Sequence, residues 1–450
     1  MRYLQVGILL SLIVAIEYVL LRKSFHPYNI DPDPPPAVFL AYDFPGLVAQ
    51  WPALRASRWP DQYSVGPDEK KEVPAYSCKC PLLGKSPYEF HQCGVFNRQI
   101  ARDLSPFQMV NMTPAVLDLS YNHTTSNVPP SYHFSIKNNV IRYKARNDGA
   151  YKDQLLAMLS KLQRVVKLPD VEFVLNSWDH PKSPFQDKVP LLSPCSNPAR
   201  SDIVYPYMYA YDTEREEEDG NGFKLRQDLH SECQSRNFLE RVPKAHFRGG
   251  CTGPEFRYQG PLYKYYTRAR ANMLTETYPD LIDAGLVFDC VDQQEGLLTF
   301  SHLPDENALE EHSDERRPRP LVHNDPTDWC KYRYYLLLDG NTVSGRSMHI
   351  IQMGFVLFKP ESPFYEYWYT LLEPWVHYIP VNADLNDLPE KVRWANNHPE
   401  KAEKIAQNLG RLADVISREE TWLCYWWRLL QGIADLQNFQ SRIEGFEKHV

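Results

Sequence analysis

The sequence predicts an α/β body carried behind a single N-terminal membrane helix. Three observations support this: a helical apolar period runs straight into a buried strand pattern at 151–176, the same kind of pairing returns at 332–358, and residues 3–21 form an apolar run. The 450 residues are 43% hydrophobic and 24% charged, which fits a globular chain and excludes a disordered or coiled-coil one. That length suggests two domains. The 49 basic residues are outnumbered by 57 acidic ones, for a formal charge of -8, which argues against a nucleic-acid partner.

In the N-terminal run only Gln5, Ser11 and Glu17 are polar, and the stretch matches the ~20 residues that a spanning helix needs. It ends in Leu20-Leu21-Arg22-Lys23 with no small-residue cleavage site, so an uncleaved anchor over 1–24 is expected, with Glu17 near the interface. Residues 25–75 read as a proline-rich stalk around the DPDPPP segment. Its Asp31 and Asp33 form a DxD, readable as a metal and nucleotide site or as a solvated linker. Nine cysteines, with Cys78, Cys80 and Cys93 clustered, and two sequons, at Asn111 and Asn122, place the body in an oxidising lumen. The expectation is a single-pass type II membrane protein of the endoplasmic reticulum or Golgi. Cys78-Lys79-Cys80 is too tightly spaced for a zinc knuckle, which favours disulfides.

Within the body, Leu155, Leu159, Leu162 and Val166 recur at helical spacing, and Val171 to Asn176 reads as a buried strand. Ala245 to Arg248 is a short strand running into Gly249-Gly250. Strands at 334–338 and 355–358 flank a loop at 339–345 and a helical stretch at 348–353. Helix–strand pairs of this kind argue for layers around parallel sheets. The tail at 389–416 is helical, with Ala402, Ile405, Leu409, Leu412 and Ile416 on one face. Two polar segments, 215–222 and 302–326, read as surface insertions.

Three segments carry residue types suited to chemistry. Gly340 to Arg346 follows a strand and precedes a helical stretch, so its N–H groups, Ser344 and Arg346 suit a diphosphate; the alternative is a plain β-to-α turn. Around Phe247-Arg248-Gly249-Gly250, a cationic strand end meets glycines, and Arg257, Arg268 and Arg270 follow; this is an anion site or a set of ion pairs. Asp179 lies just past a buried strand, before Pro181. It reads as a general base for a hydroxyl or as a structural cap, with His180 a lesser candidate base.

Taken together these segments resemble glycosyltransferase family 90, the family of protein O-glucosyltransferases and capsule-associated transferases. The resemblance spans about 78–430. It is carried by Leu168-Pro169-Asp170-Val171-Glu172-Phe173-Val174-Leu175-Asn176, by Phe247-Arg248-Gly249 and by Cys330-Lys331-Tyr332-Arg333-Tyr334. Further matches are Glu373-Pro374-Trp375-Val376-His377-Tyr378-Ile379-Pro380-Val381, Asp384-Leu385 and Cys424-Tyr425-Trp426.

The resemblance implies a GT-B fold with two Rossmann-like domains facing a cleft. These would be an acceptor-side domain at 76–205 and a UDP-sugar domain at 206–410, with helices at 411–450 crossing back to the first. It also implies an inverting, metal-independent transfer of glucose or xylose from a UDP-sugar to a protein or glycan hydroxyl, with no cofactor. In that reading Asp179 is the base, while Arg248, Gly250, Arg257, Asn341, Ser344, Gly345 and Arg346 hold the donor. Trp375 and His377 shape the cleft or pack. Gly250 stands where the animal enzymes have serine, Arg257 is shifted by one position, and Met353 stands where a cysteine would pair with Cys330. Cys424 is implied to tie back to the Cys78–Cys80 region. The chain ends Phe446-Glu447-Lys448-His449-Val450 without a KDEL, and the anchor is expected to do the work of retention. The rival reading is a tethered scaffold of the same fold that has lost catalysis.

Overall fold

The computed structural model describes residues 96–122, 132–146, 152–183, 189–197, 200–206, 230–250, 267–287, 326–446 and 448–450. The expected anchor and stalk, Cys78, Cys80, Cys93, Arg257 and the polar segments at 215–222 and 302–325 lie outside these residues. Among the described residues, no helix is long and apolar enough to cross a membrane.

The described helices are α1 (Asn97–Leu104), α2 (Pro114–Asn122), α3 (Lys152–Val165), α4 (Thr267–Thr277), the short α5 (Ser347–Ile350), α6 (Leu388–Asn397), α7 (Pro399–Ile416) and α8 (Glu419–Leu436). In and just after α3, Leu155, Leu159, Leu162 and Val166 are all at most 1% exposed, as their spacing requires. The expected tail helix is two helices. Pro399 cannot continue α6, and His398 between them leaves helical geometry at φ -130°, ψ 59°. All five apolar residues named for the tail are buried.

The first sheet contains β1 (Tyr132–Lys137), β2 (Val140–Ala145), β3 (Val171–Leu175), β4 (Leu192–Ser193), β5 (Ile203–Val204) and, from the chain's end, β11 (Lys448–His449). Its order is β11-β2-β1-β3-β4-β5. Only β3, β4 and β5 run parallel; β1 is antiparallel to both β2 and β3. The sheet is therefore mixed, not parallel throughout as expected. The cause is local: Asn138 and Asn139 both adopt positive φ (51° and 61°), forming a two-residue turn that folds β1 directly onto β2.

The second sheet is wholly parallel. It comprises β6 (Val242–Gly249), β7 (Ile282–Leu286), β8 (Tyr332–Leu336), β9 (Val356–Pro360) and β10 (Ile379–Val381), in the order β10-β9-β8-β6-β7. The chain lays β7 on one side of β6 and then returns to place β8 on the other. Strand order thus reverses between β6 and β8, and in open α/β sheets it is the crevice beyond the strands' carboxyl ends at such a point that holds ligands.

The C-terminal segment joins the first sheet. Helix α8 packs on β3, α1 and α3, with Trp426 and Tyr205 rings 5.2 Å apart. Beyond it, the Gln437 side-chain oxygen accepts the Glu172 N–H at 3.1 Å. Arg442 reaches the Glu172 carboxylate and Asp118, each at 2.7 Å. Glu172 is fully buried in β3, with His133 at 3.3 Å. Burial pushes its carboxyl up, but His133 and Arg442 more than offset this and hold it below its ordinary value.

Candidate active site

The first half of the site grows from the end of β3, whose five residues are all buried. Asn176 follows and organises the turn. Its amide nitrogen reaches the His180 carbonyl at 2.7 Å, the Trp178 carbonyl at 3.2 Å and Ser193 Oγ at 3.1 Å. Its side-chain oxygen accepts the Trp178 N–H at 3.2 Å. This amide closes the turn and sets Asp179 at its apex. The Asp179 side chain is 42% exposed, and its Oδ1 lies 2.7 Å from His180 Nδ1. Burial raises the Asp179 carboxyl, but the His180 hydrogen bond and charge, with Lys182 behind, bring it below its ordinary 3.8. His180 Nε2 is buried. The more exposed side chain of this pair is therefore Asp179, with His180 bonded to it.

The second half borders the crevice between β6 and β8. Arg346 sends Nη1 to the Arg248 carbonyl at 2.7 Å, and its guanidinium lies 5.4 Å from the Trp329 ring centre and 5.7 Å from that of Phe247. Gly249 permits this, since a Cβ there would sit 2.7 Å from Arg346 Nη2. Among the described residues, Arg346 has no carboxylate within ion-pair distance. Arg268, fully buried in α4, reaches the carbonyls of Gly250 and Leu338 at 3.2 and 3.3 Å. Burial, and then Arg346, lower it to about 9. Two guanidinium groups thus stand near each other beside the end of β6.

Arg248 is placed differently from its neighbours. Its guanidinium pairs with Asp283 at 2.6 Å and bonds the Asp283 carbonyl at 2.8 Å, so it braces β6 against β7. In the loop, Thr342 and Ser344 are buried, whereas Asn341, Gly345 and Arg346 are half-buried. The Ser344 carbonyl accepts the Ser347 N–H at 3.0 Å and the Thr342 carbonyl accepts the Gly340 N–H at 2.9 Å, which fixes the loop's path.

The two halves meet at one atom. The Asp179 carbonyl accepts from Thr342 Oγ1 at 2.8 Å and from Cys195 Sγ at 3.1 Å. Asp179 and the loop carrying Arg346 are joined directly across the carboxyl ends of both sheets.

Trp329 owes its place beneath Arg346 to a disulfide. Cys330, a disulfide candidate from the sequence, pairs with Cys233, 97 residues away, in place of the family partner whose position Met353 occupies. Cys424 is also disulfide-bonded, to a cysteine outside the described residues. Trp375 and His377 serve packing. Trp375 lies edge-on to Trp394 at 4.9 Å, and His377 Nδ1 accepts the Glu373 N–H at 3.0 Å. Asn111 and Asn122 are both exposed. The sequence reading did not single out Thr342, Trp329, Asp283 or Cys233. A threonine within a candidate loop and a tryptophan beside a cysteine were visible, but only folding shows what each touches.

The profile of glycosyl transferase family 90 matches residues 88–450. The chain belongs to this family. Protein O-glucosyltransferase 2 of Danio rerio is 30% identical over 385 residues, covering 82% of this chain and 69% of that protein. Protein O-glucosyltransferase 3 of Homo sapiens is 27% identical, covering 82% and 68%. Protein O-glucosyltransferase 1 of Homo sapiens is 24% identical, covering 82% and 87%. The matched region contains every described residue of the site, so the chain is a glycosyltransferase whose sheets place an exposed carboxylate beside a cationic loop.

Proposed function

We propose that the chain is an inverting, metal-independent transferase that moves glucose or xylose from a UDP-sugar to a hydroxyl on a protein. The observation that carries this reading is the bond from Thr342 to the Asp179 carbonyl, which seats a carboxylate against the Arg346 loop. The relatives' names support a protein acceptor over a glycan. Asp179 takes the proton from the acceptor O–H as that oxygen attacks the anomeric carbon. The bond from that carbon to the β-phosphate oxygen breaks, and its electron pair leaves with UDP. Asp179, held below its ordinary 3.8, is ionised at neutral pH and can accept the proton. Arg346, with Arg268 behind it and Gly250, Asn341, Ser344 and Gly345 in the flanking backbone, stabilises the charge that develops on UDP. Arg257 belongs to the same donor set, while Arg248 braces β6 against β7. The apolar run at 3–21 anchors this body in the lumen of the endoplasmic reticulum or Golgi.

The test is release of UDP from a panel of UDP-sugars by the purified chain, with and without EDTA and with candidate peptide acceptors. EDTA-insensitive turnover of UDP-glucose or UDP-xylose is expected. Asp179→Asn should lose about 10²–10⁴-fold in turnover, the range for a general base, while still binding UDP. Turnover within threefold of wild type by that variant would remove Asp179 from the mechanism.

A further inference from the structure

The segment after β9 touches both halves of the site, and alternate residues face opposite ways. Tyr365 exchanges two backbone hydrogen bonds with Ser196, at 2.9 and 3.1 Å. Its ring lies 4.1 Å beneath the Arg102 guanidinium of α1. Tyr367 packs against Phe96 at 5.4 Å and against Tyr425 of α8 at 5.3 Å. Both tyrosines thus face the first sheet and its helices. Glu366, between them, faces the other way, as the period of two in extended backbone dictates. It is 3% exposed. Its Oε1 accepts from Ser347 Oγ at 2.8 Å and its Oε2 from Trp368 Nε1 at 3.3 Å.

Each contact leads to the chemistry by a short path. Ser196 follows Cys195, whose Sγ holds the Asp179 carbonyl. Ser347 follows Arg346, and its N–H holds the Ser344 carbonyl. One dipeptide, Tyr365-Glu366, therefore meets the residue beside Cys195, which holds the base's turn, through its backbone, and the residue after Arg346 through a buried carboxylate.

We infer that Glu366 is a positioning residue: through Ser347 it fixes the donor loop at its working distance from Asp179. The inference rests on the donor reading of the Arg346 loop. Nothing about the substrate recruits Glu366, since its carboxyl is buried and its oxygens point at protein donors. It acts through Ser347, and so it should govern donor affinity more than the proton transfer at Asp179.

The experiment compares Ser347→Ala, Glu366→Ala and Glu366→Gln with wild type for UDP affinity by calorimetry, for kcat and donor KM, and for melting temperature. Ser347→Ala deletes one hydroxyl and leaves the backbone of the loop start in place. It should weaken UDP binding and raise donor KM by about 10-fold, the equivalent of one hydrogen bond, with kcat changed less than threefold. Glu366→Gln keeps an oxygen for Ser347 and should stay within about threefold in UDP affinity, while Glu366→Ala should match or exceed the loss in Ser347→Ala. A folded Ser347→Ala variant that binds UDP within twofold of wild type overturns the inference alone. Wild type that binds no UDP overturns the donor reading and the inference with it. If Glu366→Gln loses as much affinity as Glu366→Ala, the hydrogen bond to Ser347 is not what matters, and the inference fails.

Discussion

Replacing Gly249 by alanine puts a methyl group where the structure leaves no room for one. The new Cβ would lie 2.7 Å from Arg346 Nη2 and 2.7 Å from Phe247 Cζ. Ordinary contact starts near 3.4 Å, so each neighbour must retreat by about 0.7 Å. The two respond differently. The Phe247 ring is 1% exposed and has nowhere to go, and overpacking of that kind costs roughly 1–3 kcal/mol in stability. The Arg346 guanidinium ends a flexible side chain and moves readily, but in moving it leaves the Arg248 carbonyl and its place over Trp329. Misplacing a charge by close to an ångström at a reacting centre costs on the order of 10²-fold. Gly249→Ala should therefore lose about 10–100-fold in UDP affinity and in kcat/KM, with a small drop in melting temperature. Calorimetry with UDP and a thermal melt measure the two effects separately. A folded variant with UDP affinity within twofold of wild type would show that the donor is not held where Arg346 sits.

Two further outcomes follow from buried groups. Opening the Cys233–Cys330 bridge by paired serine substitutions releases a loop of 97 residues and should cost about 4–5 kcal/mol by loop-closure entropy, measured by urea unfolding. A change below about 1 kcal/mol would refute that account. Glu366 is raised by burial from its ordinary 4.5 to about 7, so the native state holds its proton more tightly than the unfolded chain. The resulting stability is fully present below about pH 4.5 and is lost as pH rises through about 7, a change on the order of 3 kcal/mol. Glu366→Gln should flatten stability across that window, and superimposable pH profiles for the two proteins would contradict it.

Much of the fold could be read from the sequence because burial on both faces leaves a continuous apolar run. Phe173 to Leu175 and Tyr334 to Leu336 are such runs, and both lie in central strands. The mixed character of the first sheet depended on Asn138-Asn139, a dipeptide suited to positive φ that also occurs in ordinary loops. In the site, Asp179, Ser344 and Arg346 stood out by residue type and by position after strands. Arg248 did so equally, yet its guanidinium goes to Asp283, a carboxylate on β7 that no local pattern links to it. Thr342 and Glu366 act only through contacts 163 and 19 residues away in sequence, and spacing carries no trace of such contacts. The partner of Cys330 was hidden for the same reason.

The way Arg442 and Gln437 close over Glu172 has a consequence for biogenesis. As the chain emerges from the ribosome, β1 to β5 become available early, yet β3 carries a carboxylate that stays buried without its guanidinium until more than 260 further residues have been made. The edge strand β11 arrives later still. The first half of the molecule therefore cannot reach its final state until residues 437–449 have been made, and it must wait, partly assembled, for them to return. Throughout that interval its apolar faces are exposed to whatever chaperones share the compartment.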